Sequence, residues 1–312
     1  MIGKQGIMIS RCFASAVEGK MLSWSFASAV EGKELLLRND AYYNRLNRND
    51  ISYRLQKKDG TVEKLKLYAA SQVKEFTEEE KGLVNETVEW FLLTCKEDGY
   101  NIPPMGEIVF IRSTLFDEFG ASGYSTGMQI YLGDELFFRL KGDDEQAKIK
   151  FKHTLIHEIF HCMTRSNPDF RAAMYSIIKF KVEEKEYEFP EEISSCILHN
   201  PDVESINSYA AFVVNGKKEE CVMICMCPPY DKEGEGLSEI SIGFVPVDDL
   251  TTLYSLNDIP DFWDVVGRNN DYILDPEEIM AKNFADAMVY GMDGRSYPNP
   301  EIIQAVLDYL RK

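Results

Sequence analysis

Three of the four histidines in the chain fall in Phe151-Lys-His-Thr-Leu-Ile-His-Glu-Ile-Phe-His161. His157-Glu-Ile-Phe-His161 is an HExxH pattern. On a helix, positions i and i+4 lie on one face a turn apart, so both imidazoles can hold one Zn²⁺. Glu158, about 100° round the helix, then reaches a water held by that ion. In a chain with so few histidines a chance HExxH is expected about half a percent of the time, so the pattern carries weight. Ile149, Ile156, Phe160 and Met163 supply an apolar face that would bury the helix and hold its ligands rigid. His153 shares the histidine face one turn earlier. A catalytic site keeps one coordination position open for water, so His153 reads as a supporting or packed residue, not a third ligand.

A third protein ligand must come from elsewhere. After His161 the chain reads Cys-Met-Thr-Arg-Ser-Asn-Pro168, so the extended HExxHxxGxxH pattern is absent. His199 lies in a loop candidate, His199-Asn-Pro-Asp202. The better candidate is the segment from Asp275 to Asp286. It puts Glu277 and Glu278 in the first turn of a helix that also carries Ile279, Ala281, Phe284 and Ala285. The same spacing also reads as a helix cap, with Asp275 at the N-cap and Glu278 three residues on. Ligand and cap compete for one carboxylate.

An HExxH helix followed by a second helix reading Glu-x-x-Ala-x-x-Phe-Ala resembles the gluzincin group of zinc metallopeptidases, the clan of thermolysin. His157 to Arg171 and Glu277 to Ala285 are also similar to uncharacterised bacterial zinc-peptidase sequences. The resemblance covers these two motif helices. It implies a zincin-like α+β core with one Zn²⁺ per chain. His157, His161 and Glu278 would be the metal ligands and Glu158 the general base. Glu278 is favoured over Glu277 because Ala281 then falls at the family spacing. Many members carry Asp or Asn four residues after the ligand glutamate, to orient a zinc-bound histidine. Here that position is Lys282, with Asn283 or Asp286 as the nearest substitutes. In that group an extended substrate lies along an edge strand. The implied counterpart here is Met128 to Leu132, with Gly123 to Gly127 allowing close approach.

The expected activity is hydrolysis of peptide bonds by a metal-activated water, with Glu158 taking the proton and returning it to the leaving amine. Tyr209, Tyr272, Tyr290 and His199 are the candidate donors to the developing oxyanion. Two alternatives are a metallohydrolase acting on a non-peptide amide and an inactive binding protein on the same scaffold.

The elements that must position these residues are partly legible. Thr77-Glu-Glu-Glu80 is a capping box opening a helix that ends near Gly99. Glu107 to Arg112 reads as a buried strand. Gly120 to Gly127 reads as a loop, and Met128 to Leu132 as a second strand. The HExxH helix starts near Asp143 or Asp144 and runs to about Arg165. From about Lys179 to Val247 the pattern turns to strands, with Asn215-Gly216 as a type I′ hairpin signal and Ser238 to Val245 as a further strand. Helices from Asp275 to about Tyr290 and from Pro300 to Leu310 close the chain. The class is α+β: residues 36–312 form the catalytic domain and 179–250 a looped-out β-rich insert between the ligand helices.

Residues 1–35 read as a poorly ordered extension, in which the octapeptide Phe13 to Lys20 recurs at Phe26 to Lys33. Two copies do not make a solenoid. The net charge of −18 opposes the counterion-release attraction to phosphate, so nucleic acid is not an expected partner. No apolar run reaches the roughly 20 residues needed to cross a bilayer, and no secretory signal is evident. Seven scattered cysteines suit reduced thiols, and the expected compartment is the cytoplasm. Cys221, Cys225 and Cys227 lack the spacing of a metal cluster and read as buried thiols on one strand face.

Overall fold

The computed structural model describes residues 22–140, 144–237 and 239–312. The first part runs β1 (Ser23–Phe26), α1 (Ala29–Leu37), α2 (Asp40–Tyr43), α3 (Arg48–Leu55), α4 (Val62–Gln72), β2 (Val73–Lys74) and α5 (Glu78–Glu97). Next come β3 (Glu107–Ser113), β4 (Gly123–Thr126), β5 (Gln129–Leu132), α6 (Asp134–Phe138), α7 (Glu145–Ser166) and α8 (Pro168–Ile177). After them follow β6 (Lys181–Val182), α9 (Glu191–Ser194), β7 (Ser208–Val214), β8 (Lys217–Met226), β9 (Ser241–Pro246) and β10 (Tyr254–Ser255). The chain closes with α10 (Phe262–Val266), α11 (Pro276–Tyr290) and α12 (Pro300–Leu310). The protein is mixed α+β, with two sheets. Among the described residues no helix is long and apolar enough to cross a membrane.

The first sheet has the order β1-β3-β5-β4, with β2 also paired to β3. Its strands alternate between two cores, as the period of two demands. Ile108, Phe110, Ile130 and Leu132 face the main core with α5 and α7. Ile111, Tyr124 and Tyr131 face a second core closed by Leu36, Tyr43, Leu65 and Ala69 of α1 to α4. The sequence pattern assigns no elements to residues 36–76, which form α2 to α4 and part of α1 in this layer. Arg54 is buried there between Asp50 and Glu118, at 3.2 and 2.8 Å.

Two expectations about the first sheet need correction. Residues 22–35 are not a loose extension: β1 pairs in parallel with β3, and the second octapeptide copy runs from the end of β1 into α1, where Ser28 and Glu31 form a capping box. The first copy lies outside the described residues. The Gly- and Ser-rich segment read as a loop contains β4, which pairs antiparallel with β5 and forms the sheet edge. The strand Met128 to Leu132 therefore lies inside the sheet, between β3 and β4. With both edges paired, it cannot accept an added strand.

The second sheet, β10-β9-β8-β7-β6, is antiparallel throughout. Its hairpin turns at Asn215-Gly216, both at positive φ (50° and 76°), as the sequence predicts. It is not a looped-out insert. Phe212, Val214, Met223 and Phe244 enter the main core, and Val222, Ile224 and Val245 on the other face pack with Ile193 and Ile197. Cys221, Cys225 and Cys227 of this region are buried, and burial pushes Cys221 and Cys227 up to about 12.

Two long helices hold the site. Asp144 caps α7 by accepting from Gln146 N–H at 2.9 Å. Phe160 of α7 packs against Phe170 of α8 and Phe284 of α11, and Phe170 against Tyr309 of α12, at centroid separations of 5.1 to 5.9 Å. Such aromatic contacts add about 0.5–1.5 kcal/mol each beyond burial and fix the rotation of α7 against α11.

Candidate metal centre

His157 and His161 project from the face of α7 turned toward α11. Their Nε2 atoms are 3.1 Å apart, with the rings nearly perpendicular at 87°. Glu278 Oε2, from the first turn of α11, lies 2.9 Å from His157 Nε2 and 3.9 Å from His161 Nε2. Three donors each about 2.0–2.1 Å from one tetrahedral ion would sit roughly 3.3 Å from one another, and the observed spacings bracket that value. All three side chains are buried. Among the described residues Glu278 Oε2, Glu158 Oε2 and His157 Nδ1 are buried without a hydrogen-bond partner, so two carboxylate oxygens near the histidines are left unsatisfied. The donor set fits a zinc ion.

Local sequence explains why Glu278 is free to point inward. Asp275 caps α11, its Oδ1 accepting from Glu278 N–H at 3.0 Å. The backbone of Glu278 thus satisfies the cap while its side chain turns to the histidines. Asn200 donates to Glu278 Oε1 at 2.5 Å, leaving Oε2 as the inward atom.

Glu277 lies on the other side of His161. Its Oε1 is 2.9 Å from His161 Nδ1 and accepts from Thr164 Oγ at 2.6 Å, and its Oε2 accepts from the Tyr175 hydroxyl at 2.7 Å. Burial raises its carboxyl, but the His161 bond, the His161 charge, Arg171 and Thr164 together bring it below the usual range. A carboxylate on Nδ1 keeps the proton there and turns the Nε2 lone pair to the site. The carboxylate expected four residues after Glu278 is thus replaced, on His161, by its neighbour Glu277. Lys282 faces a cavity instead, while Asp286 binds His153 Nε2 at 3.0 Å and Asn283 binds Asn269 at 2.9 Å. Glu277→Gln should weaken zinc binding about 10- to 100-fold. Titration against a competing chromogenic chelator checks this, and unchanged affinity would mean that packing alone orients His161.

The electrostatics suit one added cation. Burial, with help from His161 and Lys282, holds His157 well below its ordinary value and keeps it neutral, as a ligand must be. Burial alone would also depress His161, but Asp202, Glu277 and Glu278 outweigh it and lift the imidazole to about 10. In the ion's absence that proton balances the surrounding carboxylates, and binding a cation would displace it. Burial and then Asp202 push Glu158 well above the usual carboxylate range.

The edge strand β4 runs beside Glu158. A Cβ on Gly123 would lie 3.1 Å from Glu158 Oε1, so a side chain there would push against the Glu158 carboxylate. Arg165, one turn beyond His161, donates to Ser125 Oγ and Ser125 O at 2.8 and 2.9 Å and to Asp202 O at 2.9 Å. Asp202 Oδ1 in turn accepts from Ser125 N and Oγ, each at 2.7 Å. This carboxylate is close enough to Glu158 and His161 to share a metal, but its donors commit Oδ1 to anchoring β4.

Of the four oxyanion candidates, Tyr272 and Tyr290 line the cavity that opens on His157 and Glu158. Tyr209 is buried in the second sheet, and His199 turns its Nδ1 to Asp50 at 2.7 Å. Asn200, Asp202, Arg165 and Tyr175 escaped sequence reading. Arg165 and Thr164 lie on the motif helix at i+4 and i+3 from His161, a spacing that points to them once the helix is assigned. The loop residues carry no such signal. Comparison with profiles of known protein families, with curated proteins and with solved structures yields no match.

Proposed function

We propose that the protein is a zinc-dependent hydrolase of gluzincin type, with a zincin-like core, that cleaves peptide bonds. The observation that carries the reading is the convergence of His157 Nε2, His161 Nε2 and Glu278 Oε2 at spacings suited to one tetrahedral ion, with Glu158 beside them. A bound zinc would act as a Lewis acid, polarising the scissile carbonyl and acidifying water. The rest falls to the chain's own residues. Glu158 takes a proton from the attacking water and returns it to the leaving amine. Glu277 keeps the Nδ1 proton of His161 in place. An extended peptide would add to the outer edge of β4 near Gly123, beyond the Ser125 groups already taken by Asp202 and Arg165.

Tyr272 is the best donor to the developing oxyanion. The Glu278 carboxylate, followed by burial and Asp202, holds its phenol neutral well above the ordinary value, and its hydroxyl has no partner among the described residues. Tyr272→Phe should lower kcat by about 10²-fold or more with zinc content unchanged. An unaltered kcat would assign the role to Tyr290 or to a backbone donor.

The function is tested by measuring the zinc content of the purified protein and then screening a peptide library. About one zinc per chain with chelator-sensitive cleavage supports the reading. Zinc with cleavage of small amides alone moves it to a non-peptide amidohydrolase. No zinc on isolation or reconstitution overturns it.

A further inference from the structure

The cavity that opens on His157 and Glu158 has a volume of about 890 Å³. Its wall is at odds with the composition of the chain. Acidic residues outnumber basic ones by 52 to 34 overall, yet the wall carries Arg139, Lys150, Arg268, Lys282 and Arg295. Its carboxylates are Glu158, Asp271 and Asp286. Asp286 is already engaged, with Arg295 at 2.9 Å and His153 at 3.0 Å, and Arg139 pairs with Glu135. Lys150, Arg268 and Lys282 have no ion-pair partner among the described residues, and of the wall's carboxylates Glu158 and Asp271 remain to oppose them.

These cations are held in place by more than chance. Lys282 is the one half-exposed residue of α11 between Pro276 and Met288, every neighbour in that stretch being buried. Its Nζ lies 5.7 Å from the Tyr272 ring, and the Arg268 guanidinium lies 4.9 Å from the Trp263 ring. Aromatic faces attract such head groups and restrict where they point. A cleft lined by one sign of charge focuses its field and concentrates ligands of the opposite sign. On an acidic protein, anionic ligands would otherwise be repelled.

We infer that the substrate is an acidic peptide, whose Asp or Glu side chains are received by Lys150, Arg268 and Lys282 while its backbone lies at β4. This inference rests on the peptidase reading and names its substrate class. An anionic segment reaching Lys282 would bring its backbone beside Glu158 and Gly123, since all three line the same cavity.

The test uses zinc-loaded full-length protein carrying Glu158→Gln, titrated with two fluorescein-labelled octapeptides identical except for Glu-rich or Lys-rich flanks. Anisotropy should report at least about tenfold tighter binding of the Glu-rich peptide at low ionic strength, shrinking as salt screens the cleft. Adding Lys150→Glu and Arg268→Glu should abolish the preference. A charge-matched control on the exposed hairpin, Lys217→Glu with Lys218→Glu, should preserve it. Equal binding, a Lys-rich preference, binding of neither peptide, or a preference that survives the cleft substitutions overturns the inference. Wild-type protein that cleaves peptides without charge preference keeps the peptidase reading and sinks this one. Charge-selective binding without cleavage by wild-type protein overturns the peptidase reading and with it the substrate assignment, leaving a cleft that only binds acidic peptides.

Discussion

Glu158→Gln should retain zinc and lose about 10² to 10⁴ in kcat. Glu158 lies outside the trio of His157, His161 and Glu278, so removing its basicity leaves the ligand set intact. Gln has nearly the same shape, so the close contact with Gly123 of β4 persists and the cleft wall does not collapse. What disappears is the group that accepts a proton from water and passes it on. Initial rates on a cleaved library peptide, with zinc content measured on the same sample, check this. Undiminished turnover at full zinc occupancy would assign the base elsewhere and remove the central step of the mechanism.

Glu278→Ala should cost more zinc affinity than Glu277→Gln, beyond the roughly 10- to 100-fold typical of a supporting partner. The two glutamates are adjacent in sequence and equally buried, so the contrast tests geometry and not general acidity. Glu278 Oε2 faces the histidine Nε2 atoms, whereas Glu277 faces the Nδ1 side of His161. Elemental mass spectrometry after dialysis reads the loss directly. Thermal unfolding gives an independent measure, because an ion bound only by the folded state adds about 4 kcal/mol when present at 1,000 times its Kd. Zinc should raise the melting temperature of the wild type and leave that of the variant unmoved. Melting both proteins in chelator separates ligand loss from a general destabilisation of α11. Zinc stabilisation that survives Glu278→Ala would move the third ligand to Asp202 or Glu158, the carboxylates grouped with His161 in reach of one ion.

The shared face of His157 and His161, with Glu158 beside it, was legible because one helical turn is a fixed length, whereas Glu278 was favoured only through the resemblance of its helix to the gluzincin pattern. Residues four apart on α7 must share a face whatever surrounds them. The capping pair at Asp275 was legible for the same local reason. The choice between Glu277 and Glu278 has no such local basis. Consecutive helical positions differ by about 100°, and which of them meets the histidines depends on how α11 is rotated against α7. Phe160, Phe170 and Phe284 set that rotation through contacts among α7, α8 and α11.

Strand β4 was hidden for a related reason. Gly123-Tyr-Ser-Thr126 has the composition of a loop, and it becomes a strand because β5 offers it a pairing edge and Asp202 and Arg165 hold its outer side. The second sheet was recognisable from period-two alternation and Asn215-Gly216, but its packing into the main core was not.

By itself the sequence determined the short-range chemistry of this protein: an HExxH face, the caps of its long helices, the type I′ hairpin and an α+β succession of elements. Tertiary structure decided that Glu278 meets the histidine Nε2 atoms while Glu277 takes Nδ1 of His161, which strand forms the sheet edge, and that Lys150, Arg268 and Lys282 of an acidic chain line one cleft. Local backbone geometry repeats over a few residues and can be read from spacing. Relative rotation, edge exposure and charge clustering depend on contacts between residues far apart in the chain, from 40 positions for Arg165 with Ser125 to 116 for His161 with Glu277, and no local pattern encodes them.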